Sequence, residues 1–457
     1  FVRGRISTRP AAHHQQAVMD RRDFVAASAG LALVGGAAPP APAADEPVKL
    51  TPAMEQAREA GLKALKPTAR ELERGLKLHA DSLVFDAYGF APRAALDHEA
   101  LRQALDAGAS DAELQELREE MGMVRCAADP AERAEFETAW RAAGVTCIFQ
   151  NAGEEGQDPV RLLARLARFT YVTDALRAFV SRAAAPDDVE AAKKAGTHCL
   201  YLTGNGVPLN QRWATTEDEL KHVRVFFQLG IRMMHLTYNR RNMLGDGCGE
   251  SADGGISDLG RAAITEMNRA GVIVDVAHSG WRTSLEAAKA SARPMVASHT
   301  AAAAVHRHIR GKPDDVVKAI ADTGGYVGVC CIPSFLNGGI TAFLDHIDYL
   351  LKKFGADHVA IGTDVAHSSP GKPGDGKPLG PARKQRTRFE ALWPKGALDG
   401  ATDPGRTLAW TNWPLFTVGM VQRGHSDDDI RKILGGNVLR VARGALKGIP
   451  GLSPAAR

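Results

Sequence analysis

Val272-Ile273-Val274-Asp275-Val276-Ala277-His278 is followed by a helix-compatible stretch, residues 283–292, and then by Met295-Val296-Ala297-Ser298-His299. Both apolar runs are short and nearly continuous, as strands covered on both faces are. A strand, a helix and a second such strand make a unit whose strands run parallel, because the helix returns the chain to the same edge. His278 and His299 then leave the sheet at the same end.

The alternation extends in both directions. Upstream lie Leu83-Val84-Phe85-Asp86 and the runs 145–150, 199–203 and 232–237; downstream lie 326–330 and 358–362. Helix-like segments separate them at 216–229, 258–270, 314–323 and 342–354. Eight strands alternating with helices predict an α/β fold, a (β/α)8 barrel of the TIM type. No Gly-x-Gly-x-x-Gly follows the first strand, which counts against a dinucleotide-binding fold. Residues just past the strand ends of such a barrel share one mouth. Read in order they are Asp86 and Tyr88, Asn151, Thr203 and Asn205, Tyr238, His278, His299, Cys331 and Asp364. Two imidazoles and a carboxylate on strands five, six and eight are the donor types that bind Zn²⁺ in hydrolytic sites.

The motifs carrying these residues resemble those of the membrane (renal) dipeptidase family, zinc peptidases with the amidohydrolase barrel. They are Val274-Asp275-Val276-Ala277-His278, Ala297-Ser298-His299 and Ile361-Gly362-Thr363-Asp364. Leu236-Thr237-Tyr238-Asn239, Gly245-Asp246-Gly247-Cys248 and Met267-Asn268-Arg269-Ala270-Gly271 continue the match, as does Gly435-Gly436-Asn437-Val438-Leu439-Arg440. The resemblance spans most of residues 80–445. It implies a metal-dependent hydrolase that cleaves an amide in a dipeptide or small peptide-like substrate.

The departures set the expected site. Tyr88 and Phe90 stand where the family places a zinc-binding His-x-Asp pair, and Thr203 stands where it places a bridging glutamate. An arginine after the sixth-strand histidine is read as replaced within residues 301–304. What survives implies one zinc ion or none, with His278, His299 and Asp364 as ligands and Asp364 also as the catalytic base. Asp86 and His367 are further candidate ligands, with His235 and Asn205 behind them; His235, inside an apolar run, reads as a buried structural imidazole. Tyr238 and Asn239 are the expected substrate contacts. Two alternatives stay open: a catalytically inactive barrel that binds a ligand, and a lactone or ester hydrolase on the same fold.

Composition bounds the rest. The 457 residues carry a formal charge of +4 and six cysteines. Five arginines (Arg3, Arg5, Arg9, Arg21, Arg22) against Asp20 and Asp23 account for most of that charge, which leaves no basic patch for nucleic acid. Asp20-Arg21-Arg22-Asp23-Phe24, a weakly apolar run and Ala41-Pro42-Ala43 predict a twin-arginine export signal over 1–43, with 1–18 as an over-long gene start. The product would be periplasmic or secreted, and no run is long enough to span a bilayer. A helical extension is expected over 44–80, the barrel over 81–446 and a tail over 447–457. The stretch 368–406 reads as a long insertion after the eighth strand. No feature sets the oligomeric state, and a homodimer is one option.

Overall fold

The computed structural model describes residues 48–153, 157–371, 392–398 and 405–452. The expected export signal and most of the insertion after the eighth strand lie outside the described residues.

Among the described residues eight strands form the barrel, Phe85–Gly89, Cys147–Asn151, His198–Gly204, Ile231–His235, Ile273–Asp275, Ala297–Ala302, Val327–Val329 and Val359–Ile361, and the short strands Val180–Arg182 and Gly311–Lys312 add to them. They pair in parallel in chain order from the first to the fifth, and again from the sixth to the eighth. A bridge between Asp275 and Val296 links the two arcs. Closure between the eighth strand and the first rests on Asp364, whose N–H donates to the Tyr88 carbonyl at 3.0 Å. Beside it, Thr363 donates through its N–H and hydroxyl to the Asp86 carboxylate at 2.9 and 2.6 Å. All eight strands are buried throughout, as their unbroken apolar runs require. The fold is thus an α/β barrel of parallel strands.

The helical stretch near the start is two helices rather than one, Pro52–Leu65 and Ala69–Asp81. Lys66 adopts a left-handed φ of 49°, Pro67 cannot continue the first helix, and Thr68 forms a capping box with Glu71. The second helix packs on Trp413–Gln422 near the C-terminus. A Cβ on Gly75 would lie 2.7 Å from Val418 Cα, and His79 Nδ1 is 2.8 Å from Thr417 Oγ1.

Ser426 caps the helix that opens at Asp427, as its sequence suggests, and the backbone leaves helical geometry at Gly435, where φ is 178°. A wide turn over Lys432–Gly436 leads into Asn437–Leu446. Glycine is needed at 435 because a Cβ there would sit 2.5 Å from the Leu83 carbonyl, where the chain crosses the first strand. All six cysteines are free. Among the described residues no helix is long and apolar enough to cross a membrane.

Candidate metal and substrate site

The fifth strand ends at Asp275, so His278 projects from the turn beyond it and not from the pleat. His299 sits within the sixth strand. Their Nε2 atoms face each other at 2.9 Å, and both residues are buried. Two ligands on one tetrahedral zinc lie about 3.3 Å apart, given bonds of about 2.0–2.1 Å, so the pair is set close to the spacing of a shared ion. His278 Nδ1 donates to Asn239 Oδ1 at 2.7 Å, which leaves the lone pair on Nε2. His299 Nδ1 is 2.8 Å from the Ser298 hydroxyl. Burial, reinforced by the Arg310 charge, holds both imidazoles well below their usual range and therefore neutral. Neutral imidazole is the form that binds metal.

Tyr238 lies half-buried at the mouth, its ring stacked on His278 with centroids 4.0 Å apart and edge-on to Trp393 at 6.5 Å. Asn239, expected beside it as a substrate contact, is instead fully buried; besides His278 its Oδ1 meets Cys248 Sγ at 3.2 Å. It grips a site residue from behind.

The eighth-strand residues occupy different surroundings. Asp364 is half-buried just past the strand, with φ 57°, and stands outside the one group of metal-type side chains among the described residues. That group is His235, Asp275 and His299, whose ligand atoms lie within 4.8 Å of one another. Both Asp86 oxygens take donors, from Thr363, Trp410 Nε1 at 3.2 Å and the Tyr88 N–H at 3.3 Å, while burial pushes its pKa up to about 7. His367 turns to Glu135, with Nε2 2.7 Å from Oε1.

Tyr88 fills the place of the expected first-strand ligands. Its ring stacks on His299 at 3.9 Å and its hydroxyl donates to Asn205 Oδ1 at 3.2 Å. Thr203 Oγ1 donates to the Met233 carbonyl at 2.9 Å.

Two buried cations escaped the sequence reading. Arg310 donates to the Ala277 and His299 carbonyls, the latter at 3.0 Å. Lys312 donates to the Ser279 carbonyl at 2.6 Å, and burial lowers its pKa to about 7. Lys312 lies in, and Arg310 just before, the short strand Gly311–Lys312 that pairs with Ala301–Ala302, eleven residues and more past His299. Arg310 reaches the His299 carbonyl because that pairing folds the chain back beside the sixth strand.

A sequence model described as membrane dipeptidase (peptidase family M19) matches residues 72–374, well over half of the chain. A dipeptidase of Claviceps purpurea is 28% identical over 228 residues, 48% of this chain and 46% of that protein. The chain thus matches about half the length of such curated relatives. An amidohydrolase structure from Pseudomonas aeruginosa is 25% identical with TM-score 0.59, covering 81% of this chain and 98% of that one. A metallopeptidase from Rhodobacter sphaeroides, solved with a phosphinate mimic of the dipeptide L-Ala-D-Ala, is 19% identical with TM-score 0.56 over 80% of this chain and all of that one.

Proposed function

The chain belongs to the membrane dipeptidase family, peptidase family M19, and on that premise we propose a metal-dependent hydrolase. It cleaves an amide bond in a dipeptide or small peptide-like substrate, using one tightly held zinc ion at His278 and His299. The observation that carries the reading is this neutral imidazole pair, with Nε2 atoms 2.9 Å apart and one tautomer set by Asn239. When bound, such an ion supplies Lewis acidity toward a carbonyl and toward water.

The chain's own groups do the rest. Asn239 keeps the proton of His278 on Nδ1. Burial, with the nearby charges of Arg310 and Lys312 added to it, keeps both imidazoles neutral. Tyr238 and Trp393 offer the substrate an aromatic wall, and Asp364, just past the eighth strand, is the proposed base that takes the proton of the attacking water. The dipeptide mimic in the Rhodobacter relative supports the substrate class.

Purified chain replete with zinc should hydrolyse members of a dipeptide and acylamide panel, and His299→Ala should lose that turnover. Failure of the metal-replete protein on the whole panel ends the reading. Tyr88 packed over His299 and Thr203 at the expected glutamate position favour one alternative, a barrel that binds peptides without turnover. Calorimetric binding with no product formed would establish it.

Export and domain limits belong to the same proposal. Residues 1–43 would direct a barrel domain spanning 81–446 to the periplasm through the twin-arginine route.

A further inference from the structure

Two imidazoles fill only half of a four-coordinate shell. Beside them in the barrel lie two buried groups with polar atoms that lack a hydrogen-bond partner. His235 and Asp275 are register neighbours on the fourth and fifth strands, and neither is exposed at all. Asp275 Oδ1 is anchored by the N–H groups of Ala277 and Ser298 at 2.9 and 3.0 Å. Its Oδ2 has no hydrogen-bond partner, and neither has either ring nitrogen of His235. Oδ2 and His235 Nε2 approach to 2.8 Å, so the two are close but not aligned as donor and acceptor. Buried polar atoms left in this state are costly unless something else satisfies them.

The geometry points to an inner cation site in which His235 and Asp275 complete the shell that His299 begins. This rests on the reading that the barrel holds one divalent ion, and it names the ligands that reading lacks. Ligand atoms of the three residues already lie within 4.8 Å of one another. Ring centres of His235, His278 and His299 are separated by 5.4, 5.3 and 4.9 Å. Three imidazoles around one tetrahedral zinc have centres about 5 Å apart. Outer contacts are in place as well: two backbone N–H groups orient the carboxylate, and the Ser298 hydroxyl orients His299. Tyr88 covers the site, stacked on His299 and edge-on to His235 at 5.2 Å. The tyrosine that displaces the expected first-strand ligands thus roofs a site built from other strands. Two imidazoles and a carboxylate select zinc or a neighbouring transition ion over Mg²⁺ or Ca²⁺.

The test uses the full chain purified without chelators, with Zn²⁺ and Co²⁺ as probes. Wild type should hold one ion per chain. His235→Gln and Asp275→Asn should each weaken binding by 100-fold or more, and His278→Gln by about 10-fold. Asp275→Asn keeps an acceptor for the two N–H groups, and ion-free melting temperatures check the fold of each variant. Anomalous scattering from Co²⁺-loaded wild-type crystals locates the ion without any substitution. A peak within bonding distance of His235, Asp275 and His299 supports the site. A peak on His278 and His299 alone, or full retention in both inner variants with loss in His278→Gln, overturns the inner site but leaves the hydrolase reading standing. A wild type that binds no ion overturns both.

Discussion

Asn239→Ala removes one acceptor and strands two donors, the buried His278 Nδ1–H at 2.7 Å and the weaker, part-buried Cys248 S–H at 3.2 Å. A buried donor left without its partner costs about 1–3 kcal/mol, with the thiol at or below the low end, so the variant should lose roughly 2–3 kcal/mol of stability. The functional loss is larger in proportion. Freed from Asn239, His278 can place its proton on Nε2, toward His299, and present no lone pair to the site. Removing such an outer contact typically costs about 10–100-fold in activity or metal affinity. We expect kcat/KM to fall by about that factor, while ion occupancy falls no further than in His278→Gln. Asn239→Asp is the control, because the Asn239 amide nitrogen is buried with no partner and its loss removes no bond. A carboxylate there keeps the acceptor and raises the His278 pKa from its depressed value. The neutral imidazole is then lost at higher pH, and the acid limb of the rate profile should move upward. Steady-state kinetics across pH, with chemical unfolding in parallel, measure all of this. Activity of Asn239→Ala within two-fold of wild type, with unchanged stability, would refute the assignment of Asn239 as the residue positioning His278.

Gly435→Ala drives a Cβ to 2.5 Å from the Leu83 carbonyl and should cost about 2–3 kcal/mol in chemical unfolding. Gly436→Ala, whose nearest neighbour would be Arg431 O at 3.3 Å, should change stability by less than about 1 kcal/mol. Burial raises Asp86 from an ordinary 3.8 to about 7, so the stability it contributes is full below pH 4 and lost as pH rises through 7. Wild type should therefore lose about 3 kcal/mol relative to Asp86→Asn between pH 4.5 and 8, read as the difference between their unfolding curves. Replacing Arg21 and Arg22 with Lys should hold the precursor in the cytoplasm on cell fractionation, since the twin-arginine route reads the arginine pair itself.

Strand order was legible because every barrel strand is buried on both faces, and eight unbroken apolar runs can hardly be read another way. Helix limits were nearly as clear; the expected 258–270 coincides with Asp258–Ala270. Pairing between distant elements was not legible. His235 looked like a structural imidazole because its neighbours in sequence are apolar, and its partner Asp275 appears only once the fourth and fifth strands are in register. Strand alternation carried on as far as His278 would put Asp275 on the opposite face. That count fails because His278 lies beyond the strand end, in a turn that has no pleat.

The contact between the helix Ala69–Asp81 and Trp413–Gln422 carries a consequence for synthesis. About 330 residues separate the two elements, roughly 15–65 seconds of ribosome time at about 5–20 residues per second. Throughout that interval the face bearing Gly75, Leu78 and His79 has emerged while the helix that covers it has not. Apolar surface left exposed for that long is prone to aggregation. Covering that face has to wait for Trp413–Gln422, which makes this late helix the gate for the contact.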